Sequence, residues 1–202
     1  DGGVQVTLNG GNTWSEQFTQ KNSQFYQIGI DNDFPYNVYS TSQDILSYKV
    51  PSASRWGGIS GYETTLVGNG ETGAAIPHPS DPDIVYTVSS GSPMGVGGSF
   101  TKNNLATGQN EYRNLLPEPA FGLDLKDLED RIQWDLPVIH SVHEPGTFYT
   151  ASQRVFRTRD EGMTWEVISG DLTNNEPDKQ VRAGSDWLPE YFGQEYYSTI
   201  SR

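Results

Sequence analysis

The sequence predicts an all-β fold made of repeated hairpins, and three observations lead to this prediction. The chain is rich in turn-forming residues, with 22 glycines and 12 prolines among 202 residues. An eight-residue motif occurs twice, and a strand–turn–strand unit occurs three times. Hydrophobic residues make up 34% of the chain, which is enough for a single globular domain to bury a core.

The first element is the motif TLNGGNTW (residues 7–14), which returns position for position as TRDEGMTW (residues 158–165). The residues at the shared positions are Thr7 and Thr158, Asn9 and Asp160, Gly11 and Gly162, Thr13 and Thr164, and Trp14 and Trp165. Two copies in one chain indicate a structural repeat. Asn9 favours a structural role, because an amide replaces an acid as a hydrogen-bond acceptor but not as a proton donor.

The second element is the strand–turn–strand unit, marked by YSTS at Tyr39, YTVS at Tyr86 and YTAS at Tyr149. Each copy follows a proline-containing turn: DNDFPYNV, HPSDPDIV or HEPGTF. A short apolar or alternating run precedes each turn, namely YQIGI, GAAI or PVIHSV. Strand propensity and turn chemistry therefore predict a strand, a turn and a second strand in each unit.

The spacing of the units is typical of a β-propeller with four-stranded antiparallel blades. The repeated tyrosines are 47 and 63 residues apart. Counting back from Trp14 by the 16 residues that separate Tyr149 from Trp165 gives an earlier spacing of about 41, and spacings in this range are typical of such blades. About three periods are present, so we expect one partial propeller domain over residues 1–202. Its predicted parts are the end of a blade (1–20), three blades (24–69, 70–118 and 130–170) and the start of another (195–202).

Charge and composition argue against several partners and chemistries. The formal net charge is −13 and the 13 basic residues are scattered, so we expect no nucleic-acid partner. No apolar run approaches the ~20 residues of a membrane span, and the absence of cysteine excludes disulfides and thiol catalysis. HPSDPD (residues 78–83) has metal-ligand residue types, but two prolines favour an Asx-type turn. We expect neither a metal nor a cofactor.

The motif resembles the Asp-box, or bacterial neuraminidase repeat, whose pattern is S/T-x-D-x-G-x-T-W. FPYNVYSTSQD, GNGETG, RIQWDLPVIHS and WEVISGDLT further resemble bacterial sortilin-like or "glycosyl hydrolase" propellers, over nearly the whole chain. The resemblance implies a larger propeller of seven or more blades and a longer polypeptide. It implies that Asp160 accepts backbone hydrogen bonds, that Trp165 packs between blades, and that the box lies opposite the ligand face.

In such a propeller the first strand of each blade lines a central channel. The loops that enter this strand and the second-to-third-strand loops form the ligand face. We expect ligand binding there by Gln43, Asp44, Glu71, Arg131 and Trp134. Asp44, Glu71 and Glu195 are the candidate catalytic acids. The alternative is that these side chains cap loops and pair with one another. The long connections, among them PSASRWGGISGYE (residues 51–63) with its aromatics, are expected on the same face.

Three function classes remain open at this point. The first is an extracellular or periplasmic propeller that acts as a binding or scaffold module for a protein or glycan. The second is a glycoside hydrolase that acts on polysaccharide through paired carboxylates. The third is an assembly factor for a larger complex. A sialidase is set aside, because DRIQWD (residues 130–135) does not match the RIP segment of that family.

Overall fold

The computed structural model describes residues 4–16, 23–43, 45–70, 72–89, 98–116, 124–133, 135–181 and 198–201. Within these ranges the chain forms three four-stranded antiparallel sheets, and the strands of each sheet follow one another in sequence order. Two short 3-10 turns, Gly61–Glu63 and Leu125–Asp127, are the helical elements of this part of the chain. The all-β prediction is confirmed. None of these helical elements has the length and apolar character needed to span a bilayer.

Twelve strands make up the three sheets in the described ranges. The first sheet contains β1 (Phe25–Ile30), β2 (Asn37–Ser42), β3 (Ser47–Pro51) and β4 (Thr65–Gly68). The second contains β5 (Ala75–Pro77), β6 (Ile84–Ser89), β7 (Ser99–Asn104) and β8 (Gln109–Tyr112). The third contains β9 (Val138–His140), β10 (Phe148–Ala151), β11 (Val155–Thr158) and β12 (Glu166–Val167).

The three sheets repeat one another in the turn that follows their first strand. The backbone N–H of Asp31, His78 and Ser141 donates to the carbonyl six residues further on, at 3.3, 3.0 and 2.9 Å. The side chain of the same residue caps the turn in each copy. His78 Nδ1 accepts from the Asp81 amide at 3.0 Å, Ser141 Oγ accepts from Glu144 at 3.1 Å, and the Asp31 carboxylate accepts from two amides. HPSDPD is thus a turn in this structure.

The sheets pack face to face in series. Tyr39 and Val67 of the first sheet form a small buried cluster with Ala75 and Val85 of the second. Glycine allows a close approach here, because a Cβ on Gly29 would lie 2.5 Å from the carbonyl oxygen of Ala75. The interface between the first two sheets is therefore thin.

A larger cluster fills the space between the second and third sheets. Tyr86 and Phe100 of the second sheet contact Phe148 of the third, with ring centroids 4.7 and 5.1 Å apart. The other buried members are Ile84, Val88, Leu115, Ile132, Leu136, Val138 and Phe156. Aromatic rings in edge-to-face contact bury large apolar areas, so this interface is the main core of the described chain.

The first strands of the three sheets, β1, β5 and β9, run in the same direction around one cavity of about 520 Å³. Near their starts, Gln27 donates from its backbone N–H to the Gly73 carbonyl at 3.2 Å and from Nε2 to Asp135 Oδ1 at 3.1 Å. At their ends, Asp31, His78 and His140 line the cavity. We call these strands innermost.

The strand connections alternate between two edges of the sheets. The start edge, where the innermost strands begin, includes residues 43, 45–46, 69–70, 72–74, 98, 113–116, 124–133, 135–137, 152–154, 168–181 and 198–201 of the described chain. The turn edge lies opposite and contains the turns 31–36, 52–64, 78–83, 105–108, 141–147 and 159–165. The prediction that the loop PSASRWGGISGYE lies on the ligand face is wrong, because an antiparallel β3–β4 hairpin places it at the turn edge.

Candidate functional site

The second copy of the eight-residue motif, residues 158–165, forms the turn between β11 and β12; we call each copy a box motif. The Asp160 carboxylate accepts from the Thr164 amide at 2.8 Å, from the Thr164 hydroxyl at 2.7 Å and from the Thr158 hydroxyl at 2.7 Å. Thr158 Oγ1 in turn accepts from the Gly162 amide at 2.9 Å. These bonds, from Thr164 first and then Thr158, lower the pKa of Asp160 to about 2. The carboxylate is therefore ionised at neutral pH and is a poor proton donor.

The first motif has the same bonds with one reversal. Asn9 Oδ1 accepts from the Thr13 amide at 2.9 Å, and Thr7 Oγ1 accepts from the Gly11 amide at 2.9 Å. The Asn9 amide, however, donates to the Thr13 hydroxyl at 2.9 Å, whereas Asp160 accepts from its threonine. A hydroxyl serves either purpose, so the turn geometry tolerates both an acid and an amide.

The second motif also joins the second and third sheets. The Trp165 ring meets the Phe100 ring edge-on at 5.6 Å, and a Cβ on Gly162 would lie 2.8 Å from that ring. Glu161 has a positive φ of 57° and forms ion pairs with Lys102 and Arg113. Burial alone would raise the pKa of Glu161, but the bond from Lys102 and the other charged contacts lower it. The motif is thus part of a packed interface.

On the start edge, two glutamines hold the segments that lead into their own sheets. Gln153 Oε1 accepts from the Arg131 amide at 2.8 Å, and its Nε2 donates to the Glu129 carbonyl at 2.8 Å. Gln43 accepts from the Tyr26 hydroxyl. Gln43 was predicted as a site residue, whereas Gln153 was not. The signal for Gln153 is the match between TSQD (residues 41–44) and ASQR (residues 151–154).

Several of the described charges of the start edge are bound to one another. Arg131 is buried and donates to Asp171 Oδ2 at 2.9 Å and to the Ser198 carbonyl at 3.0 Å. Asp130 is buried as well and accepts from Arg154 Nε at 2.9 Å. Such pairing favours a structural role for Arg131, because its donors are directed at protein acceptors. Its predicted role in ligand binding stays a prediction.

Four of the predicted site residues, Asp44, Glu71, Trp134 and Glu195, lie outside the described residues. The described neighbours of two of them lie close together. A Cβ on Gly70 would lie 3.2 Å from Ser47 Oγ and 3.4 Å from the Thr41 methyl. The loop after β4 therefore lies against the end of β2 and the start of β3, and the predicted acid pair of Asp44 and Glu71 stays a prediction.

The opposite end of the cavity contains two histidines. His78 uses Nδ1 in its turn, and the His140 ring packs against Phe148 at a centroid distance of 4.8 Å. Burial, and then the nearby charge of His78, lower the pKa of His140. In the part of the chain that the structure describes, no three metal-ligating side chains come together.

Comparison with family models, curated proteins and solved structures gave no match. The resemblance to Asp-box proteins therefore depends on the motifs themselves.

Proposed function

We propose that this chain is part of a β-propeller of the Asp-box, sortilin-like type, which binds a protein or glycan partner outside the cytoplasm through its start edge. The proposal is supported by three repeated four-stranded sheets whose innermost strands run in the same direction around one cavity. That arrangement is expected of successive propeller blades.

Burial at equivalent positions supports further blades beside the described ones. Val38, Val85 and Phe148 each precede the repeated tyrosine. Val85 and Phe148 are completely buried against the preceding sheet, whereas Val38 is only partly buried. Ala75 is also completely buried, but Ile28, at the equivalent position of the first sheet, is 72% exposed. This face of the first sheet thus carries apolar residues of the kind found in the sheet interfaces, but these residues are partly or largely exposed.

The observation that carries the binding proposal is the contrast between the two edges. In the box turns on the turn edge, the side chains of Asp160 and Asn9 accept hydrogen bonds from backbone amides of their own turn. The start edge gathers the long connections between sheets. It leaves Ile45 exposed, and it leaves Glu129 exposed although Glu129 pairs with Arg154 at 3.1 Å. Long connections on a rigid scaffold are where binding residues concentrate, and we expect the partner there.

A binding experiment with paired variants tests the proposal. The polypeptide would be tested against a glycan array and against extracellular proteins by pull-down, and the ligand found would be titrated. We expect Ile45→Ser and Glu129→Gln to weaken its binding about tenfold or more, equivalent to about 1.4 kcal/mol. Trp56→Ala and Tyr62→Ala are the controls, because these exposed aromatics lie on the turn edge and should leave affinity unchanged.

The opposite result, in which only the turn-edge variants lose binding, would contradict the proposal. Measuring both hydrolysis and affinity for any glycan ligand found addresses the glycoside hydrolase alternative. Glu71→Gln removes a charge with little change in shape, so it should abolish hydrolysis if Glu71 is catalytic and weaken glycan binding only modestly if it is not.

A further inference from the structure

Asparagine is followed directly by glycine at two places in the chain, Asn9–Gly10 and Asn69–Gly70. Asparagine is a chemically labile residue, because the backbone nitrogen of the next residue attacks its side-chain carbonyl carbon. Glycine has no Cβ to shield that nitrogen. The attack releases ammonia and forms a cyclic imide, which water opens to an acid. The same reactive dipeptide therefore occurs in two different surroundings.

The glycine of the first pair lies in open space. Asn9 and Gly10 are both exposed, and Gly10 has a φ of 67°. Among the described residues, a Cβ on Gly10 would meet no atom within 4 Å beyond its chain neighbours, and the Gly10 N–H makes no hydrogen bond. The attacking nitrogen is thus accessible, and the backbone around it has room to move as the ring closes.

The glycine of the second pair is packed. A Cβ on Gly70 would lie 3.2 Å from Ser47 Oγ and 3.3 Å from the carbonyl oxygen of Val88. The Asn69 carbonyl accepts from Ser47 Oγ at 3.0 Å, and Asn69 Nδ2 donates to the Tyr112 hydroxyl at 3.3 Å. Ring closure at this pair requires the loop after β4 to move away from β3 and β6, so the fold opposes the reaction at Asn69.

The first box motif polarises the carbonyl group that is attacked. Asn9 Oδ1 accepts from the Thr13 amide at 2.9 Å and from the Thr7 hydroxyl at 3.1 Å. A backbone N–H only donates, so the atom that faces it is the side-chain oxygen, and Nδ2 is the atom that donates to Thr13 Oγ1. Donors directed at a carbonyl oxygen stabilise the negative charge that develops there during nucleophilic attack. The turn thus favours addition at Asn9 Cγ.

The second box motif shows that an acid fits the place of Asn9. Asp160 accepts from the Thr164 amide and the Thr158 hydroxyl, as Asn9 does from its own two threonines, and it also accepts from the Thr164 hydroxyl at 2.7 Å. Rotation of the Thr13 hydroxyl would give an acid at position 9 the same set of bonds. Hydrogen bonds to an ionised carboxylate are stronger than those to a neutral amide, so the turn holds an acid better than it holds the amide.

We propose that Asn9–Gly10 is a self-modification site, at which deamidation converts the amide of the first box motif into the acid that the second already has. The Gly10 nitrogen loses its proton to solvent and bonds to Asn9 Cγ, while the Cγ–Nδ2 bond breaks and ammonia leaves with a proton from water. Water then adds to Cγ and breaks the new Cγ–N bond, which restores the ordinary backbone. The net reaction consumes water, releases ammonia and adds a negative charge to the chain.

The imide has a second carbonyl, and opening at the backbone carbon of Asn9 gives isoaspartate. This product inserts a methylene group into the main chain and displaces the Gly11 amide from Thr7 Oγ1, which it meets at 2.9 Å. Isoaspartate closes to the imide again, so the product that keeps the bonds of the turn accumulates. The box motif therefore selects ordinary aspartate. This inference does not depend on the partner proposed for the start edge.

Ageing the purified polypeptide tests the proposal. The folded protein would be kept at mildly alkaline pH, and peptide mass spectrometry would follow the conversion of Asn9 and Asn69, with electron-transfer fragmentation to distinguish aspartate from isoaspartate. We expect Asn9 to convert about tenfold faster than Asn69 or more, with aspartate as its main product. In urea, where the unfolded chain leaves both pairs equally free, the two rates should agree. Asn9→Asp provides the authentic product for comparison.

A matched pair of variants tests the part played by the box motif. Thr7→Val removes the hydroxyl that bonds Asn9 Oδ1 and should slow conversion of Asn9 by about tenfold, less than the loss of an oxyanion-hole donor in an enzyme. Thr7→Ser keeps the hydroxyl and should leave the rate unchanged, and Asn69 should be unaffected by both changes. Equal or faster conversion at Asn69 in the folded protein would overturn the proposal. So would isoaspartate as the main product at Asn9, or an undiminished rate in Thr7→Val.

Discussion

The two box motifs differ at one residue in a way that reveals what the turn requires. Asp160 accepts from the Thr164 hydroxyl, whereas Asn9 donates to the Thr13 hydroxyl. Both residues accept from the backbone amide four residues on. The turn therefore needs one side-chain oxygen for a backbone N–H and a second atom that bonds a hydroxyl in either direction.

Substitution of Asp160 tests this requirement. Asp160→Ala strands the Thr164 amide and should lower the free energy of unfolding by about 1 kcal/mol, a modest cost because the turn is exposed. Asp160→Asn keeps the acceptor, as Asn9 does, and should cost less than half of that. Urea denaturation of both variants provides the measurement, and equal losses would show that the charge and not the acceptor matters.

The lowered pKa of Asp160 predicts a pH dependence. Its folded-state pKa of about 2 lies below the ordinary value of 3.8, so ionised Asp160 stabilises the fold fully above pH 3.8 and this contribution is lost as the pH falls toward 2. The difference in unfolding free energy between the wild type and Asp160→Asn should therefore shrink across that window. If the difference in unfolding free energy stayed constant from pH 5 to pH 2, the lowered pKa of Asp160 would be contradicted.

The box glycines allow backbone strain and packing to be separated. Gly11 and Gly162 have φ of 91° and 88°, so alanine should cost about 1–2 kcal/mol at either site for the left-handed conformation. Only at Gly162 would the new Cβ meet the Phe100 ring at 2.8 Å. We expect Gly162→Ala to cost about 1–3 kcal/mol more than Gly11→Ala, as measured by thermal or urea unfolding.

At the scale of the elements, the two box tryptophans occupy unequal surroundings. Trp165 packs on Phe100 between two sheets, whereas Trp14 is 58% exposed. Trp165→Ala should destabilise the fold by about 2–4 kcal/mol, and Trp14→Ala by less than about 0.5 kcal/mol. Denaturation followed by circular dichroism would decide, and similar losses would show that residues 7–14 also pack on a sheet in solution.

The strands were more predictable from the sequence than the edge of the sheet at which each connection lies. Local alternation and turn residues identified the units around Tyr39, Tyr86 and Tyr149, because strand pairing within a hairpin depends on nearby residues. The side on which residues 52–64 lie depends on the parity of strands in the whole sheet, which no local pattern contains. Gln153 was missed because its role depends on a segment more than twenty residues away.

At the scale of the molecule, the described sheets have apolar side chains in partial contact with solvent at both ends of the series. Ile28 and Ile139 are both largely exposed. The isolated 202-residue chain should therefore self-associate, and Ile28→Thr together with Ile139→Thr should reduce this. Sedimentation velocity would measure the degree of self-association. A monomer with a sharp, reversible unfolding transition would show that these faces need no cover.

The candidate site was less predictable than the fold, for a physical reason. A box motif is local, so its bonds could be anticipated from Thr158, Asp160 and Thr164. Arg131 was predicted as a ligand contact from its place before the first strand of a sheet, and a lone arginine in sequence carries no information about its partner. Asp171 and Ser198, which bind it, lie 40 and 67 residues away, and only the return of the chain to the start edge brings them together.

The unequal thickness of the two interfaces has a consequence for synthesis on the ribosome. The first sheet leaves the exit tunnel before the others, yet only a small cluster of side chains attaches it to the second sheet. The larger aromatic core forms only when Phe148 and Phe156 have been made. The nascent chain is therefore expected to carry a weakly attached first sheet for the 80 residues of elongation from Gly68 to Phe148, several seconds at ordinary rates, and this is the interval in which a chaperone would have most to protect.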